Sequence, residues 1–374
     1  MEEVLDTVLG CDEPEATVLD ELLDGSERHD HQNITTAALS IFGFQLPFTL
    51  AFVTLRIASL SPYSEEVVRS LFQGAHDDVE VLLVPPAPAP EAVREAVAEA
   101  DLVIGDKRHK HRLDRLTLAA MSRCRLIQQP AVGFDAIDHR AAAELRIPVA
   151  NAAGYNRDAV ADWTIMAMLN LARQGAYADR SMREGGWPNH RMRGRELGAL
   201  TVGIVGLGNV GNAVASRLRA FGSRILFTDV APRSAAGATA VPLDELLAQS
   251  DVVTVHVPLD RDTRGLIGEA QLRRMRPGAF LVNASRGPVV DEAALVAALD
   301  SGHLGGAGLD VYEVEPLAPD SPLRAFDNVF LTPHTGGLTD EAEARVLEVC
   351  GANLRRVLDG LEPFNVVNGV TRRE

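Results

Sequence analysis

The chain contains few cysteines and no cluster of metal-binding residues. Its three cysteines, Cys11, Cys124 and Cys350, stand far apart among 374 residues and form no CxxC pair. This excludes a disulfide framework and favours a reducing compartment, the cytoplasm. The ten histidines are equally scattered, with no HExxH motif. We therefore expect no metal site.

Basic residues are also in short supply. Lys and Arg number 36 against 52 Asp and Glu, which gives a formal net charge of −16. Nucleic acid is not an expected partner, because binding to phosphates needs a basic face. Residues 1–30 alone hold eleven carboxylates and one basic residue, Arg28. We interpret 1–47 as an acidic N-terminal extension, either two short amphipathic helices or a solvating tail, and its composition favours the tail.

Long apolar runs are missing as well. Residues 31–55 carry no Asp, Glu, Lys or Arg, but polar residues and Pro47 interrupt this stretch. A membrane-spanning helix needs about 20 mostly apolar residues in a row. We therefore expect a buried strand at 50–55 and no membrane partner. The acidic beginning of the chain does not resemble a secretory signal peptide.

The rest of the sequence alternates short β-rich runs with helical patterns, which is typical of parallel sheets covered by helices. A first series of strands ends near residue 150, and a second starts at Leu200 after a long apolar helix at 158–172. The pattern predicts an α/β fold with two doubly wound parallel-sheet domains, Rossmann-like or flavodoxin-like, and a cleft between them. We assign 48–150 plus 338–374 to a substrate domain and 151–337 to an NAD-binding domain. The strands predicted in the second series are 200–205, 224–229, 251–257, 279–283, 306–311 and 328–332.

A glycine-rich turn opens the second series. The motif GLGNVG at 206–211 follows the apolar strand TVGIV and precedes a helical pattern, which is the context of a dinucleotide-binding turn. Gly206 permits the tight turn, Gly208 lets a pyrophosphate approach the backbone, and Gly211 lets the helix pack closely on the strand. The pyrophosphate is then expected at the positive end of the helix.

The next strand, RILFTD, ends in Asp229, which lies 18 residues beyond Gly211. A carboxylate at this place accepts hydrogen bonds from the ribose hydroxyls and repels a 2′-phosphate, so the sequence favours NAD over NADP. Arg233 is the alternative signal, since it is able to grip a 2′-phosphate. We favour the interpretation of Arg233 as a solvated surface arginine.

Charged residues follow three later strands. The segments are NASRG at 283–287, LDVYEVEP at 309–316 and TPHTGG at 332–337. Because the carboxyl ends of parallel strands line the ligand crevice, we expect the three segments to converge. Together they supply an arginine, three carboxylates (Asp310, Glu313 and Glu315) and His334. His256, which lies outside the three segments, is a rival histidine. A cation, an acid/base and an anion that orients the base are the groups needed for hydride transfer to or from a hydroxy acid.

With these motifs, and with VGFDAID at 132–138, VHVPL at 255–259 and GAGLDVYEVEP at 306–316, the chain resembles the D-isomer-specific 2-hydroxyacid dehydrogenase family. The resemblance covers about residues 50–360. It implies an NAD-dependent oxidoreductase that moves a hydride between NAD(H) and C2 of a small D-2-hydroxy acid or 2-keto acid. Glyoxylate, hydroxypyruvate and 3-phosphoglycerate-like acids are the substrates it suggests. It also implies a homodimer, with residues 175–198 at the interface.

The resemblance further implies a role for each charged group. Arg286 matches the arginine that binds the substrate carboxylate, which a forked guanidinium suits better than an ammonium. His334 matches the proton donor and acceptor, and Glu315 matches the carboxylate that orients it and favours its protonated form. Asp310 matches the residue that hydrogen-bonds the nicotinamide amide. The related formate dehydrogenases carry glutamine in place of Glu315, which argues against formate as the substrate.

Other positions match binding residues of the family. The matches to further cofactor contacts are Asn209, Val210, Val257, Ala284, Ser285 and Gly336, together with Arg286 and His334. The backbone amides of Val132 and Gly133 match the loop that binds the substrate carboxylate.

The chain also departs from the family. Asp162 stands where a glutamate is common, and the loop GDKRHKHR at 105–112, which is expected near the substrate, is unusually basic. If Lys107, Lys110 or His111 faces the substrate, a second anionic group on that substrate becomes plausible, and we include His111 among the substrate-binding residues. The alternative is a solvated basic loop. Phosphite oxidation and a non-catalytic, corepressor-like sensor of NAD(H) are the two rival functions.

Overall fold

The structure is a computed structural model, which describes residues 54–73, 78–85 and 89–373. The acidic extension predicted at 1–47 lies outside the described residues. From Thr54 onward the chain forms one compact unit. Within the described ranges, no helix has both the length and the apolar character needed to cross a membrane.

The first sheet has five parallel strands in the order β2-β1-β3-β4-β5. Its strands are β1 (Leu55–Ser59), β2 (Val79–Leu83), β3 (Leu102–Ile104), β4 (Leu126–Gln128) and β5 (Val149–Ala150). The helices that alternate with them are α1 (Glu65–Ser70), α2 (Pro90–Ala98), α3 (Arg115–Ala120) and α4 (His139–Glu144). Strand β2 lies on one side of β1 and strand β3 on the other, so the strand order reverses between β1 and β3. Doubly wound sheets open a crevice at this point.

The second sheet has seven parallel strands in the order β12-β11-β10-β9-β6-β7-β8. They are β6 (Thr201–Val205), β7 (Arg224–Thr228), β8 (Ala238–Ala240), β9 (Val252–Val255), β10 (Phe280–Asn283), β11 (Gly306–Leu309) and β12 (Val329–Leu331). The helices are α5 (Arg157–Arg173), α6 (Gly175–Arg183), α7 (Asn209–Phe221), α8 (Leu243–Gln249), α9 (Glu269–Arg274), α10 (Glu292–Asp300) and α11 (Asp340–Leu358). Short 3-10 turns lie at Asn189–Arg191, Leu197–Ala199, Gly287–Val289 and Pro322–Ala325.

Each sheet buries apolar side chains on both faces, as parallel sheets covered by helices do. In the second sheet, α5 and α7 cover one face and α8 to α10 cover the other. In the first sheet, the C-terminal helix α11 packs on β4, and the buried Asn353 of α11 donates to Gln128 Oε1 at 2.8 Å. The predicted α/β class with two parallel sheets is confirmed, whereas the short edge strand β8 was not predicted. The domain boundaries stay a prediction.

Candidate active site

In the glycine turn between β6 and α7, each glycine has different steric surroundings. Gly206 has a φ of +93°, which favours glycine, and a Cβ at Gly211 would lie 2.1 Å from the backbone oxygen of Gly206. Gly208 is the N-cap of α7, and a Cβ placed there would meet no atom within 4 Å. The turn therefore leaves open space beside the first N–H groups of α7, which fits a pyrophosphate.

Asp229 follows β7 and connects the glycine turn to the turn that contains Ala231. Its Oδ2 accepts the Leu207 N–H at 2.7 Å, and its Oδ1 accepts the Ala231 N–H at 2.8 Å. Each carboxylate oxygen has a further lone pair for a ribose hydroxyl. Arg233 lines a cavity of about 730 Å³ together with Gly208, so both the acidic and the basic side chain lie beside the glycine turn.

A cleft of about 840 Å³ contains eight of the predicted binding residues. Those that line it are Val132, Gly133, Asn209, Val210, Val257, Ala284, Ser285 and Arg286. Within the described part of the chain, the N–H groups of Val132 and Gly133 donate to no protein acceptor. Two free backbone donors beside an arginine form a site that suits a carboxylate.

Arg286 is held from both sides of this cleft. The Asn283 amide donates to the Arg286 carbonyl at 3.0 Å and fixes the turn after β10. The guanidinium donates to the Ser285 carbonyl at 2.8 Å and lies 3.4 Å from Asp135 Oδ2. It also packs on the backbone of Gly133, where a Cβ would lie 1.9 Å from Nη2. Any side chain at Gly133 would displace the guanidinium.

Asp310 organises the turn that follows β12. It is 2% exposed, and its Oδ1 accepts the Thr335 N–H at 2.8 Å and the Thr332 hydroxyl at 2.5 Å. Its Oδ2 accepts the Gly336 N–H at 2.7 Å, and Trp163 donates to the Thr332 hydroxyl at 3.0 Å. The carboxylate thus fixes the loop around residue 334, and the predicted contact with the nicotinamide amide stays a prediction.

His334 and Glu315 form a hydrogen-bonded pair. His334 has a φ of +57°, a backbone conformation that non-glycine residues rarely adopt,. Its Nδ1 lies 2.7 Å from Glu315 Oε2, and Glu315 Oε1 accepts the Tyr312 N–H at 3.1 Å. Partial burial favours a higher pKa for Glu315, but the hydrogen bond and charge of His334, with the Tyr312 N–H and the charge of Arg286, hold that pKa below its ordinary value. An ionised Glu315 accepts only, so His334 Nδ1 carries a proton and Nε2 is left to exchange one.

Comparison with known proteins shows the family of the chain. Residues 165–336 match the model of the D-isomer specific 2-hydroxyacid dehydrogenase NAD-binding domain. The chain is 42% identical over 264 residues to a glyoxylate reductase of Korarchaeum cryptofilum, which covers 68% of this chain and 80% of that relative. The chain belongs to the D-isomer-specific 2-hydroxyacid dehydrogenase family. As the sequence predicted, it is an NAD-dependent oxidoreductase.

The chain is also similar to two further dehydrogenases. It is 37% identical over 318 residues to a D-3-phosphoglycerate dehydrogenase of Archaeoglobus fulgidus, which covers 84% of this chain but 59% of that relative. The solved structure of D-lactate dehydrogenase from Aquifex aeolicus, complexed with NAD and lactic acid, has a TM-score of 0.73 and 30% identity, and covers 84% of this chain and 99% of that one.

Three residues considered as candidates in the sequence lie outside the His334–Glu315 pair. His111, included among the substrate-binding residues, is 7% exposed, and its two ring nitrogens lie 2.8 Å from Asp106 Oδ2 and 3.0 Å from the Pro85 carbonyl. Its ring therefore has no free nitrogen for a substrate. The rival His256 has its Nε2 2.9 Å from the Thr254 hydroxyl, and the Glu313 side chain makes no hydrogen bond with any described residue.

Sequence reasoning missed two groups at the site. Asp135, which contacts Arg286, lies inside the VGFDAID motif, so its position was available as a signal. His109 lies close enough to the positive charges of Arg286 and His334 for them to lower its pKa, although burial is the larger cause. In the sequence, only its place in the basic loop marked it.

Proposed function

We propose that this dehydrogenase interconverts a small D-2-hydroxy acid and its 2-keto acid, with glyoxylate and hydroxypyruvate as the first candidates. The observation that supports this most is the His334–Glu315 pair, 2.7 Å between Nδ1 and Oε2, next to the charge of Arg286. An acid/base, a carboxylate that orients it and a carboxylate-binding cation are brought together at neighbouring strand ends.

In the proposed binding mode, the substrate lies at the edge of the cleft. The substrate carboxylate is bound by the Arg286 guanidinium and by the free N–H groups of Val132 and Gly133. Charge-assisted hydrogen bonds of this kind are about twice as strong as neutral ones. Because Asp135 and Gly133 hold the guanidinium in place, little side-chain entropy is lost on binding.

The proposed proton transfer uses His334. NADH, when bound, supplies the hydride for C2. In the reducing direction, His334 Nε2 donates its proton to the C2 oxygen, and in the oxidising direction the neutral imidazole removes the hydroxyl proton. The Glu315 carboxylate stabilises the imidazolium. Because it bonds Nδ1, it leaves Nε2 for the substrate. Arg286 polarises the substrate as charge develops on the C2 oxygen.

The test is NADH oxidation with a panel of 2-keto acids: glyoxylate, hydroxypyruvate, pyruvate, 2-ketoisocaproate, oxaloacetate and 3-phosphohydroxypyruvate. We expect turnover of at least one of them and a loss of about 10²–10⁴-fold in kcat in the His334→Ala variant, the range for removal of a general acid. The matched control is His303→Ala, because the His303 ring bonds the Leu272 carbonyl on α9, away from the cleft. NADH binding without turnover of any member would overturn the proposal and favour phosphite oxidation or an NAD(H) sensor.

We also propose that the dehydrogenase is a homodimer that works in the cytoplasm. Trp187 and Met182, in the segment predicted to form the interface, are 70% and 48% exposed, and burying them against a second copy would remove apolar area from water. Light scattering should give twice the monomer mass, and Trp187→Glu should lower it. The two described cysteines are free and buried, which agrees with a reducing compartment.

A further inference from the structure

The turn that carries His334 is held on both sides of this residue. Before it, the Thr332 carbonyl accepts the His334 N–H at 3.1 Å. After it, the Asp310 carboxylate accepts the N–H groups of Thr335 and Gly336 at 2.8 and 2.7 Å. These hydrogen bonds compensate a φ of +57° at His334, which is unfavourable for a residue with a Cβ. Strain that the surroundings hold in place is a common feature of functional sites.

The Thr332 side chain connects this turn to the long helix α5. Its hydroxyl oxygen lies 3.0 Å from Trp163 Nε1 and 2.5 Å from Asp310 Oδ1. An indole N–H only donates and a carboxylate only accepts, so the hydroxyl accepts from Trp163 and donates to Asp310. The direction of both hydrogen bonds is therefore fixed. The second bond has the short length that is typical of a hydroxyl donating to a carboxylate.

Trp163 is the rigid end of this chain of hydrogen bonds. It lies in α5, a helix of 17 residues, and is 7% exposed. Its ring stacks on Phe330 of β12, with the ring centroids 6.1 Å apart. A Cβ at Gly336 would lie 3.3 Å from Trp163 Cγ and 2.8 Å from Asp310 Oδ2. The indole ring and the carboxylate thus both pack against the backbone of the turn.

We propose that Trp163 and Thr332 are positioning residues of the active site, which act through Asp310 to keep His334 in place for proton transfer. This inference rests on the proposed function. Glu315 orients the His334 ring, with 2.7 Å between Oε2 and Nδ1. The chain from Trp163 through Thr332 to Asp310 fixes the backbone from which that ring extends. Proton transfer needs both supports, because the ring and its attachment point must be placed together.

The size of the effect follows from the precision that the reaction needs. Without the Thr332 hydroxyl, the Trp163 N–H has no acceptor and Asp310 loses one donor, so the turn is free to shift. A misplacement of about 1 Å is able to slow a reaction about 100-fold, and we therefore expect kcat to fall about 10- to 100-fold. The KM for the keto acid should stay within about threefold of wild type, because Arg286 and the loop amides that bind its carboxylate lie outside this chain.

Two substitutions separate the Thr332 hydroxyl from the shape of the side chain. Thr332→Val keeps the branched shape and should lower kcat, whereas Thr332→Ser keeps the hydroxyl and should recover kcat to within about threefold of wild type. Trp163→Phe should have a smaller effect than Thr332→Val, because the hydroxyl still donates to Asp310. The matched control is Thr164→Val, which removes a buried hydroxyl of α5 that donates to the Val160 carbonyl at 2.7 Å. Its kcat should equal that of the wild type.

A spectroscopic measurement tests the hydrogen bond independently of activity. The chain has two tryptophans, Trp163 and Trp187, so the nitrogen–proton NMR spectrum of the labelled protein contains two indole N–H signals. Trp163→Phe removes one of them and thereby assigns both. The Trp163 signal should move upfield in Thr332→Val, where the indole loses its acceptor, and stay in place in Thr332→Ser.

Melting temperatures show which variants are folded. If Thr332→Val does not fold, Trp163→Phe decides the test, because it removes only the donor to the hydroxyl. A wild-type kcat in the folded variant, a loss of kcat that Thr332→Ser does not recover, or a Trp163 signal that stays in place would each overturn the inference while the wild-type enzyme still reduces a keto acid. If the wild-type enzyme reduces no acid of the panel, the proposed function fails, and the inference fails with it.

Discussion

The negative charge of Glu315 is expected to speed keto-acid reduction by stabilising the imidazolium of His334. Its Oε2 lies 2.7 Å from His334 Nδ1, and despite partial burial the hydrogen bond to His334 holds the pKa of Glu315 below its ordinary value. Glu315→Gln keeps a hydrogen-bond acceptor at this position and removes the negative charge. The substitution therefore separates electrostatic stabilisation of the imidazolium from simple positioning of the ring.

Coulomb's law gives the magnitude. Two unit charges about 4 Å apart attract each other by about 1 kcal/mol in water and by about 4 kcal/mol at an effective dielectric constant of about 20. The His334 and Glu315 side chains are 46% and 36% exposed, so solvent screening places this pair near the lower end, at about 1–1.5 kcal/mol. Since about 1.4 kcal/mol corresponds to a factor of ten in rate, the substitution is expected to lower kcat/KM about tenfold.

The assay is the pH dependence of kcat/KM for keto-acid reduction. The pKa of Glu315 lies below its ordinary value, so the stabilising charge of its carboxylate is present at neutral pH and is lost only as the pH falls through that lowered pKa. At neutral pH, Glu315→Gln should therefore reduce the keto acid about tenfold more slowly than the wild type. The difference between the two enzymes should shrink in strongly acidic buffer, where the wild-type carboxyl group is protonated.

The matched control is Glu313→Gln, two residues away. The Glu313 side chain is exposed and does not contact His334, so its pH profile should coincide with that of the wild type. A Glu315→Gln profile that keeps its shape and is lower by the same factor at every pH would refute the electrostatic reasoning. Glu315 would then act only by positioning the ring.

Three other predictions concern the cofactor turn and the thiols. Gly211→Ala places a methyl group 2.1 Å from a backbone oxygen and should lower the free energy of unfolding by about 1–3 kcal/mol, whereas Gly208→Ala should keep the melting temperature and weaken NADH binding in a fluorescence titration. In Asp229→Ser, the kcat/KM ratio for NADH over NADPH should fall at least about tenfold; an unchanged ratio would place cofactor choice elsewhere. Burial raises the pKa of both Cys124 and Cys350 to about 12, so at most one of the three thiols should react with a thiol reagent before unfolding and all three afterwards.

Much of the site was predictable because it follows from local pattern. Each segment that contains a candidate residue follows an apolar run that predicts a strand. Parallel strands place their carboxyl ends at one edge of the sheet. Arg286, Glu315 and His334 follow β10, β11 and β12, and these strands are neighbours in the sheet. The glycine turn was predictable for the same reason, since Gly206 to Gly211 form a continuous strand–turn–helix segment. β8 escaped notice because three small residues at a sheet edge (Ala238–Ala240) carry no apolar periodicity.

The basic loop shows where sequence reasoning stopped. The sequence offered three basic side chains for the substrate side, and His111 was chosen over its neighbours. The structure directs His111 toward Pro85 and Lys107 toward Glu343, a residue 236 positions away along the chain. These partners come from a different strand end and from the C-terminal helix, and no local pattern reports where a distant helix will lie.

The sequence by itself determined the fold class, the family and the cofactor, because alternating strand and helix patterns, a glycine turn and ordered strand-end motifs are properties of short contiguous segments. Only the tertiary structure decided which ring nitrogens are occupied and which remain free. It bound both nitrogens of His111, left Nδ1 of His109 buried without a hydrogen-bond partner, and held the Arg286 guanidinium against Gly133 from the other side of the cleft. These arrangements depend on contacts between segments far apart in the chain, whose geometry is set by packing and by the need to pair buried polar groups.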